Sequence, residues 1–408
     1  MNNSISKNND LSKFSTSKSH VCPGCGSRGM SIFHELKSIP VNSVLNMPTR
    51  DTALNYPKGD ISLGFCHKCG FISNTAFDPT LLKYSSGCEE SQGYSPTFNA
   101  FAHGLANDLI KRYDLYQKDI LEIGCGKGEF LTLLCELGEN NGVGFDPAYV
   151  SGRIHSEAKD RITFITDFYS EKYSHYRADF ICCKMTLEHI HATADFVSMV
   201  RRSIGDYTNT IVFFQVPDVT RILRECAFED IYYEHCSYFS SESLVNLFRK
   251  CNYDVLNLQT VYDDQYLLIE VKPSIAKRQV PFSQENDIEK LKDYTSSFKK
   301  TYDLKMHSWK IKLNEFRDQK QRVVIWGSSS KAVSFLTGLN VYDQIEYVVD
   351  INPFRQGSYM AGTGQEIVAP DFLKDYTPDI VIVMNSIYCE EITHDLTQMG
   401  LNPELLTL

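Results

Sequence analysis

No apolar run in this chain reaches membrane-spanning length, which excludes a helical membrane protein and a membrane partner. Residues 1–20 are rich in Asn, Ser and Lys and lack the apolar centre of a secretory signal, so they read as a disordered tail. Positive charge is not in excess. The 41 Lys and Arg stand against 51 Asp and Glu, a formal net charge of −10 that argues against a bulk nucleic-acid binder. Without a secretory signal the 13 cysteines have no oxidising compartment to pair in. A cytoplasmic location follows, and close cysteine pairs point to metal rather than to disulfides. Also missing is the G-x-G-x-x-G spacing that seats a dinucleotide pyrophosphate.

What is present starts with length: 408 residues can bury a large core and form two or three domains. The chain is organised around Asp119-Ile120-Leu121-Glu122-Ile123-Gly124-Cys125-Gly126-Lys127-Gly128-Glu129-Phe130. The apolar run predicts a buried parallel strand, the glycines a tight turn, and 129–138 a helix. Gly124, Gly126 and Gly128 let a ligand approach the backbone where a Cβ would clash. A second strand at 141–145 ends in Asp146, an acid at the spacing that accepts both hydroxyls of an adenosine ribose. The G-x-G-x-G spacing and Glu122 inside the strand favour S-adenosylmethionine (SAM) over NAD. "LEIGCGKGEFL…GFDP" resembles motifs I and II of the class I SAM-dependent methyltransferases.

Alternating strands and helices continue. A strand at 161–165 precedes Asp167 and Phe168, an acid for the adenine amino group and an aromatic to stack on its ring. A strand at 179–184 runs into Met185-Thr186-Leu187-Glu188-His189-Ile190, similar to motif IV of the class. Glu188 and His189 invite acid–base roles, yet such a stretch more often begins a helix and walls the pocket, Met185 included. A strand at 210–216 and a pair at 254–261 and 266–272 complete the sheet expected for the class. The polar segment 84–98, with Tyr94 and Ser95, precedes a helix at 100–113. In the class it closes over the methionine end of SAM.

Two C-x-x-C-G knuckles, Cys22-Pro23-Gly24-Cys25-Gly26 and Cys66-His67-Lys68-Cys69-Gly70, supply four thiolates. That donor set makes a closed tetrahedral site suited to structural Zn²⁺. His67 competes as a ligand but is flanked by thiolates. With no open position, no zinc chemistry is expected.

The loop after the fifth strand, 217–240, carries Tyr232-Tyr233-Glu234-His235 at the sheet edge where the SAM methyl should point. Abstracting a proton beside a carbonyl needs a base titrating near neutrality. Histidine fits, and an adjacent carboxylate can orient it or raise its pKa. The phenol of Tyr232 or Tyr233 could donate to a developing enolate oxygen. C-x-x-C-G pairs, then a SAM core, then "YYEHCSYFS" resemble the zinc-containing sugar C-methyltransferase family, which acts on nucleotide-linked keto-deoxysugars. The resemblance implies that Tyr232, Glu234 and His235 are active-site groups, with His235 the base. It departs at Tyr262-Asp263-Asp264-Gln265-Tyr266, where that family carries a glycine-rich turn. Residues 277–321 read as one or two charged helices. A second strand-turn-helix from Arg322 then resembles the family's C-terminal domain, with Lys331 and Asn385 as candidate contacts to a phosphorylated acceptor.

The expected fold is therefore α/β: a zinc-binding module (21–75), a class I SAM methyltransferase domain with a seven-stranded sheet (76–275), a helical linker (276–320) and a C-terminal Rossmann-like substrate domain (321–408). The expected activity is methyl transfer from SAM to a small acceptor, a nucleotide-linked ketosugar first. O- or N-methylation of another metabolite, a zinc-containing RNA methyltransferase and a silent SAM-binding scaffold stay open as alternatives.

Overall fold

The computed structural model describes residues 20–82, 84–275 and 285–408. The expected tail and the start of the expected linker fall largely outside them. The N-terminal part is built on β1 (Ser31–Pro40), a short helix α1 (Arg50–Leu54), β2 (Lys58–Phe65) and β3 (Ile72–Asn74). Alternating Ile61, Leu63 and Phe65 bury one face of β2. Two register shifts bend β1 against β2.

The central part opens with α2 (Pro96–Tyr113), capped by the Ser95 hydroxyl, which accepts from the Phe98 N–H. The helix thus starts at Pro96, ahead of the expected 100, because that cap and a proline in the first turn favour it. There follow β4 (Asp119–Ile123), α3 (Glu129–Gly138), β5 (Asn141–Phe145), β6 (Ile162–Ile165), β7 (Phe180–Lys184), α4 (Thr193–Ile204), β8 (Ile211–Pro217) and α5 (Val219–Glu225). The chain continues through β9 (Ser237–Tyr238), α6 (Ser241–Lys250), β10 (Tyr253–Val261) and β11 (Tyr266–Pro273). Seven strands pair in the order β6-β5-β4-β7-β8-β11-β10. The first five run parallel and β11 lies antiparallel to β8, which is the sheet of a class I SAM methyltransferase. Its parallel strands read as continuous apolar runs because helices cover both faces.

β9 does not join that sheet. It pairs with β3 of the N-terminal sheet, Ile72 opposite Tyr238 and Ser73 opposite Ser237. The loop that follows β8 is thereby stitched to the N-terminal module.

Of the expected one or two helices, the structure has one, α7 (Glu285–Asp318). Leu291 and Phe298 pack with the core of the N-terminal module and α5, whereas Met306, Trp309 and Leu313 pack with the C-terminal core. The helix therefore splints the two. The C-terminal part comprises β12 (Val323–Trp326), α8 (Ser330–Leu339), β13 (Tyr347–Val349), β14 (Glu366–Val368), α9 (Leu373–Tyr376), β15 (Ile380–Val383), α10 (Cys389–Gln398) and β16 (Glu404–Thr407). Its five strands are all parallel, in the order β14-β13-β12-β15-β16. Among the described residues no helix is long and apolar enough to cross a membrane.

Candidate active site

At the turn between β4 and α3, the space a Cβ would fill on Gly124 and Gly128 is taken by the protein's own side chains. Gly124 and Gly128 both hold positive φ, 69° and 88°. A Cβ on Gly124 would lie 2.1 Å from the Thr186 hydroxyl, and one on Gly128 2.4 Å from the Phe164 ring. Only glycine fits either place. Asp146 at the end of β5 accepts the Gly126 N–H at 2.9 Å and the Ala148 N–H at 2.7 Å, so the same carboxylate that could take a ribose also holds the turn. Glu122 is buried, one of its oxygens has no partner, and burial pushes its pKa up to about 7. Phe168 is 60% exposed, an open aromatic face, while the adjacent Asp167 carboxylate is taken by Lys172 and Tyr173.

Segment 84–95 closes over this turn. The buried Lys127 ammonium donates to the Cys88 carbonyl at 2.7 Å and to the Ala148 carbonyl at 3.0 Å. Glu90 lies over Gly126 and is pushed up to about 7 by burial. The Ser95 hydroxyl donates to Glu391 of α10 at 2.7 Å, so this expected cofactor contact serves the helix start and the C-terminal part. Tyr94 is half exposed beside Phe354.

Beyond β8, the loop carrying His235 is buried. Glu234 and His235 are each 3% exposed, and Tyr233 is fully covered, because the N-terminal sheet and α8 lie across it. A tight turn, His235 N–H to the Tyr232 carbonyl, folds the Tyr232 phenol back on the imidazole. The phenol oxygen stands 2.6 Å from His235 Nε2, and Nδ1 has no hydrogen-bond partner. Tyr233 does not join them. Its hydroxyl accepts the Asp78 N–H at 2.9 Å and its ring fills the space above Gly59, both in the N-terminal module. Glu234 receives the Ser43 N–H at 2.5 Å and the Ser43 hydroxyl at 2.8 Å on one oxygen.

Glu188 and His189 stand beside His235. They sit in a 3₁₀ turn, not a helix start, directly after Thr186 packs on Gly124. The His189 ring meets His235 edge-on with centroids 4.9 Å apart, and Glu188 Oε1 is 3.9 Å from His235 Nε2. Both Glu188 oxygens and His189 Nδ1 lack partners. Burial sets the electrostatics: it pushes Glu188 up to about 8 and Glu234 up to about 7, and holds His189 down at about 4. It also holds His235 well below the ordinary histidine value, with His189 and Lys331 adding to the effect. The expected rise of the histidine pKa by the adjacent carboxylate does not occur, because Glu234 turns to Ser43 and burial sets the direction at His235.

In the C-terminal part, Lys331 is held by Asp230 at 2.5 Å, and Asn385 exchanges amide hydrogen bonds with Gln265 at 2.8 and 3.1 Å. The turn from Gly327 to Ser330 is filled from within. Ser328 donates to Asp350, and Arg355 donates to the Ser328 hydroxyl and carbonyl. Met185 adopts a positive φ of 49° between Lys184 and Thr186.

The four knuckle cysteines converge. Cys22 and Cys69 sulfurs are 3.7 Å apart, Cys25 and Cys66 3.6 Å, and all four lie within 4.8 Å of one another. Thiolates about 2.3 Å from one zinc ion stand about 3.8 Å apart in a tetrahedron, so the donor set fits that ion. His67 turns away, its Nε2 at 2.8 Å from the Ser31 hydroxyl.

Sequence reasoning did not bring Ser43 to Glu234, and did not set Glu188 and His189 against His235. The adjacency of Glu188-His189 to a glycine-packing threonine is the one signal that could have raised the latter pair.

Comparisons with known proteins agree with the two folds. The family described as "Methyltransferase domain" matches residues 98–258, and that described as "C-methyltransferase C-terminal domain" matches residues 273–402. C-methyltransferase NovU of Streptomyces niveus is 23% identical over 307 residues, covering 71% of each chain. Among solved structures, the 1,6-didemethyltoxoflavin N1-methyltransferase of Burkholderia thailandensis, with S-adenosylhomocysteine bound, is 14% identical with a TM-score of 0.32. The match covers 42% of this chain and 78% of that one. Magnesium protoporphyrin IX methyltransferase of Synechocystis is 11% identical with a TM-score of 0.34, covering 44% and 84%.

Proposed function

We propose that this chain, which belongs to the SAM-dependent C-methyltransferases as a divergent member of the sugar C-methyltransferase family, methylates a carbon beside the ketone of a nucleotide-linked keto-deoxysugar, with His235 as general base. The observation that carries the reading is the turn that sets the Tyr232 phenol on His235 Nε2 and leaves Nδ1 without a partner. An imidazole held at one nitrogen is free to accept a proton at the other. His189 Nδ1 and the Tyr238 hydroxyl, both buried and unpartnered, are the donors available to a developing enolate oxygen.

Glu122, Gly124, Gly126, Gly128, Asp146, Phe168 and Met185 would hold SAM, which supplies an electrophilic methyl carbon when bound. Thr186, packed on Gly124, joins that cradle to the Glu188–His189 turn beside the base. Cys22, Cys25, Cys66 and Cys69 would hold a structural Zn²⁺ with no open position, supporting the sheet to which β9 belongs. One feature favours a second reading, O- or N-methylation of another small acceptor. Tyr262, Asp263 and Asp264, in place of the family's glycine-rich turn, all hold a left-handed backbone, which alters the wall of the acceptor cleft.

The test is mass spectrometry after incubation with SAM and a panel of nucleotide-linked 4-ketosugars. A gain of one methyl with loss of carbon-bound deuterium is expected. A methylated product that keeps that deuterium selects the second reading. His235→Ala should abolish turnover and leave SAM affinity near that of the parent, and unchanged turnover would remove His235 from the mechanism.

A further inference from the structure

Glu188 is 1% exposed, and neither of its carboxyl oxygens has a hydrogen-bond partner among the described residues. A buried polar group without a partner costs stability, and a carboxylate costs more than a neutral acid. The backbone fixes where this carboxyl stands. The Glu188 carbonyl accepts the Cys236 N–H at 3.0 Å, which staples the 3₁₀ turn (Leu187–His189) to the loop carrying His235. Just ahead of that turn, Thr186 packs on Gly124 of the segment proposed to hold SAM. Glu188 thus bridges the cofactor turn and the base, with Oε1 3.9 Å from His235 Nε2. That distance is too long for a hydrogen bond, so the carboxyl is not engaged by the imidazole.

No cation neutralises it. Among the described residues no Lys or Arg lies within ion-pair distance of Glu188. The titratable groups within electrostatic reach are His189 in its own turn, and His235, Tyr232 and Cys236 of the loop. Cys183 of β7, Tyr266 of β11 and Tyr84 of the segment at 84–95 complete them. Burial holds the two histidines neutral and keeps the phenols and thiols protonated, so none of these is charged at neutrality. A carboxyl in such surroundings keeps its proton, and burial pushes its pKa up to about 8. A neutral acid donates a hydrogen bond, where a carboxylate only accepts.

We infer that Glu188 acts as a neutral acid, donating its O–H to the ketone oxygen of the acceptor while His235 removes the neighbouring carbon-bound proton. The inference rests on the proposed base role of His235 and deepens it. When the C–H bond breaks, the proton goes to His235 Nδ1. The electron pair forms the carbon–carbon double bond of the enolate, and the carbonyl π pair moves onto oxygen. Glu188 keeps its proton, and its hydrogen bond to that oxygen strengthens as charge grows there. The enolate carbon then bonds to the methyl carbon of SAM, the C–S pair stays with sulfur, and the ketone is restored beside S-adenosylhomocysteine. Beside His189 Nδ1 and the Tyr238 hydroxyl, the carboxylic acid is the most acidic donor and the strongest partner for an enolate oxygen.

The test uses the full-length protein and the nucleotide-linked 4-ketosugar that it methylates. Enolisation alone is read by NMR, as exchange of the carbon-bound hydrogen with D₂O in the presence of S-adenosylhomocysteine, and turnover is read with SAM. Glu188→Leu removes the donor and should lower both rates by about 100-fold to 1,000-fold, with KM within about threefold of the parent. Glu188→Gln, whose amide still donates, should recover about tenfold of that loss. The parent's rate should fall as pH rises through about 8, where the acid ionises, and in Glu188→Gln that fall should be absent. Variants that match the parent, or a fall above about pH 8 that survives in Glu188→Gln, overturn the donor role. So does a second metal ion per chain that Glu188→Gln loses, because Glu188, His189 and His235 would then hold a cation through a carboxylate and two imidazoles. Should Glu188→Leu not fold, Glu188→Gln and its pH profile decide. A parent that methylates none of the ketosugars removes the reaction and the inference with it. The base assignment fails separately, if His235→Ala still turns over.

Discussion

Replacing Asp146 by alanine separates two jobs that the structure gives to one carboxylate. Its oxygens accept the Gly126 and Ala148 N–H groups, at 2.9 and 2.7 Å, and their remaining lone pairs are where the ribose hydroxyls of SAM are proposed to donate. Each hydrogen bond to a charged acceptor contributes about 1.5 kcal/mol at the low end, so two lost ribose bonds cost about 3 kcal/mol, or about 100-fold in affinity. In the ligand-free protein the alanine also strands two backbone donors, a loss of about 2–3 kcal/mol. Asp146→Asn retains one carbonyl acceptor and should fall between, at about tenfold in affinity. Titration calorimetry with S-adenosylhomocysteine measures the first effect and thermal unfolding without ligand the second. A variant that melts early yet binds within about threefold of the parent would show that the carboxylate serves the turn alone, and would remove Asp146 from the ribose site.

Other outcomes follow from the same geometry. Tyr233→Phe loses its bond with the Asp78 N–H and should lower stability by about 1–2 kcal/mol in chemical denaturation without changing SAM affinity. Tyr232→Phe should instead suppress turnover while binding SAM normally, and a reversed pattern would exchange the roles assigned to the two phenols. Chelation should release one zinc ion per chain to a chromogenic chelator and abolish turnover. The loop carrying His235 is held through β9 to β3, which begins just after the second knuckle. Retained activity in fully demetallated protein would contradict that coupling. For Glu188 the sign is set by its raised pKa, about 8 in the folded protein. The folded form holds the proton more tightly than the unfolded chain. That stability is full at acid pH, below the ordinary carboxylate range, and is lost as pH rises through about 8. The melting temperature of the parent should fall between about pH 5 and 8, and Glu188→Gln should flatten part of that fall. An unaltered pH profile would mean that Glu188 is ionised in the fold.

Much of the scaffold was legible because its signals are local. The apolar run before Gly124, the positive-φ glycines and the acid at the end of β5 are dictated by steric rules within a few residues, and the helix read at 129–138 is the one observed. The C-x-x-C-G knuckles likewise carry their metal spacing in their own covalent geometry. The start of α2 was missed by four residues because the cap, Ser95, sits beside a proline that reads equally well as a loop. The burial of the Glu234–His235 stretch was not legible, because nothing local shows what covers it. It is covered by distant segments that bind it, Ser43 at the Glu234 carboxylate and Ser334 of α8 at the Ile231 carbonyl.

The sequence by itself determined the SAM-type sheet, the four-thiolate site and the presence of a histidine with a nearby phenol and carboxylate. Only the tertiary structure decided which phenol meets the imidazole, that Glu188 and His189 stand against it, and that Ser43 donates to both Glu234 and Ser330. Those contacts join positions up to 287 residues apart. Periodicity and motif spacing report what the backbone does over one or two turns. A hydrogen bond between distant segments exists only once three separate sheets have packed and excluded water from between them.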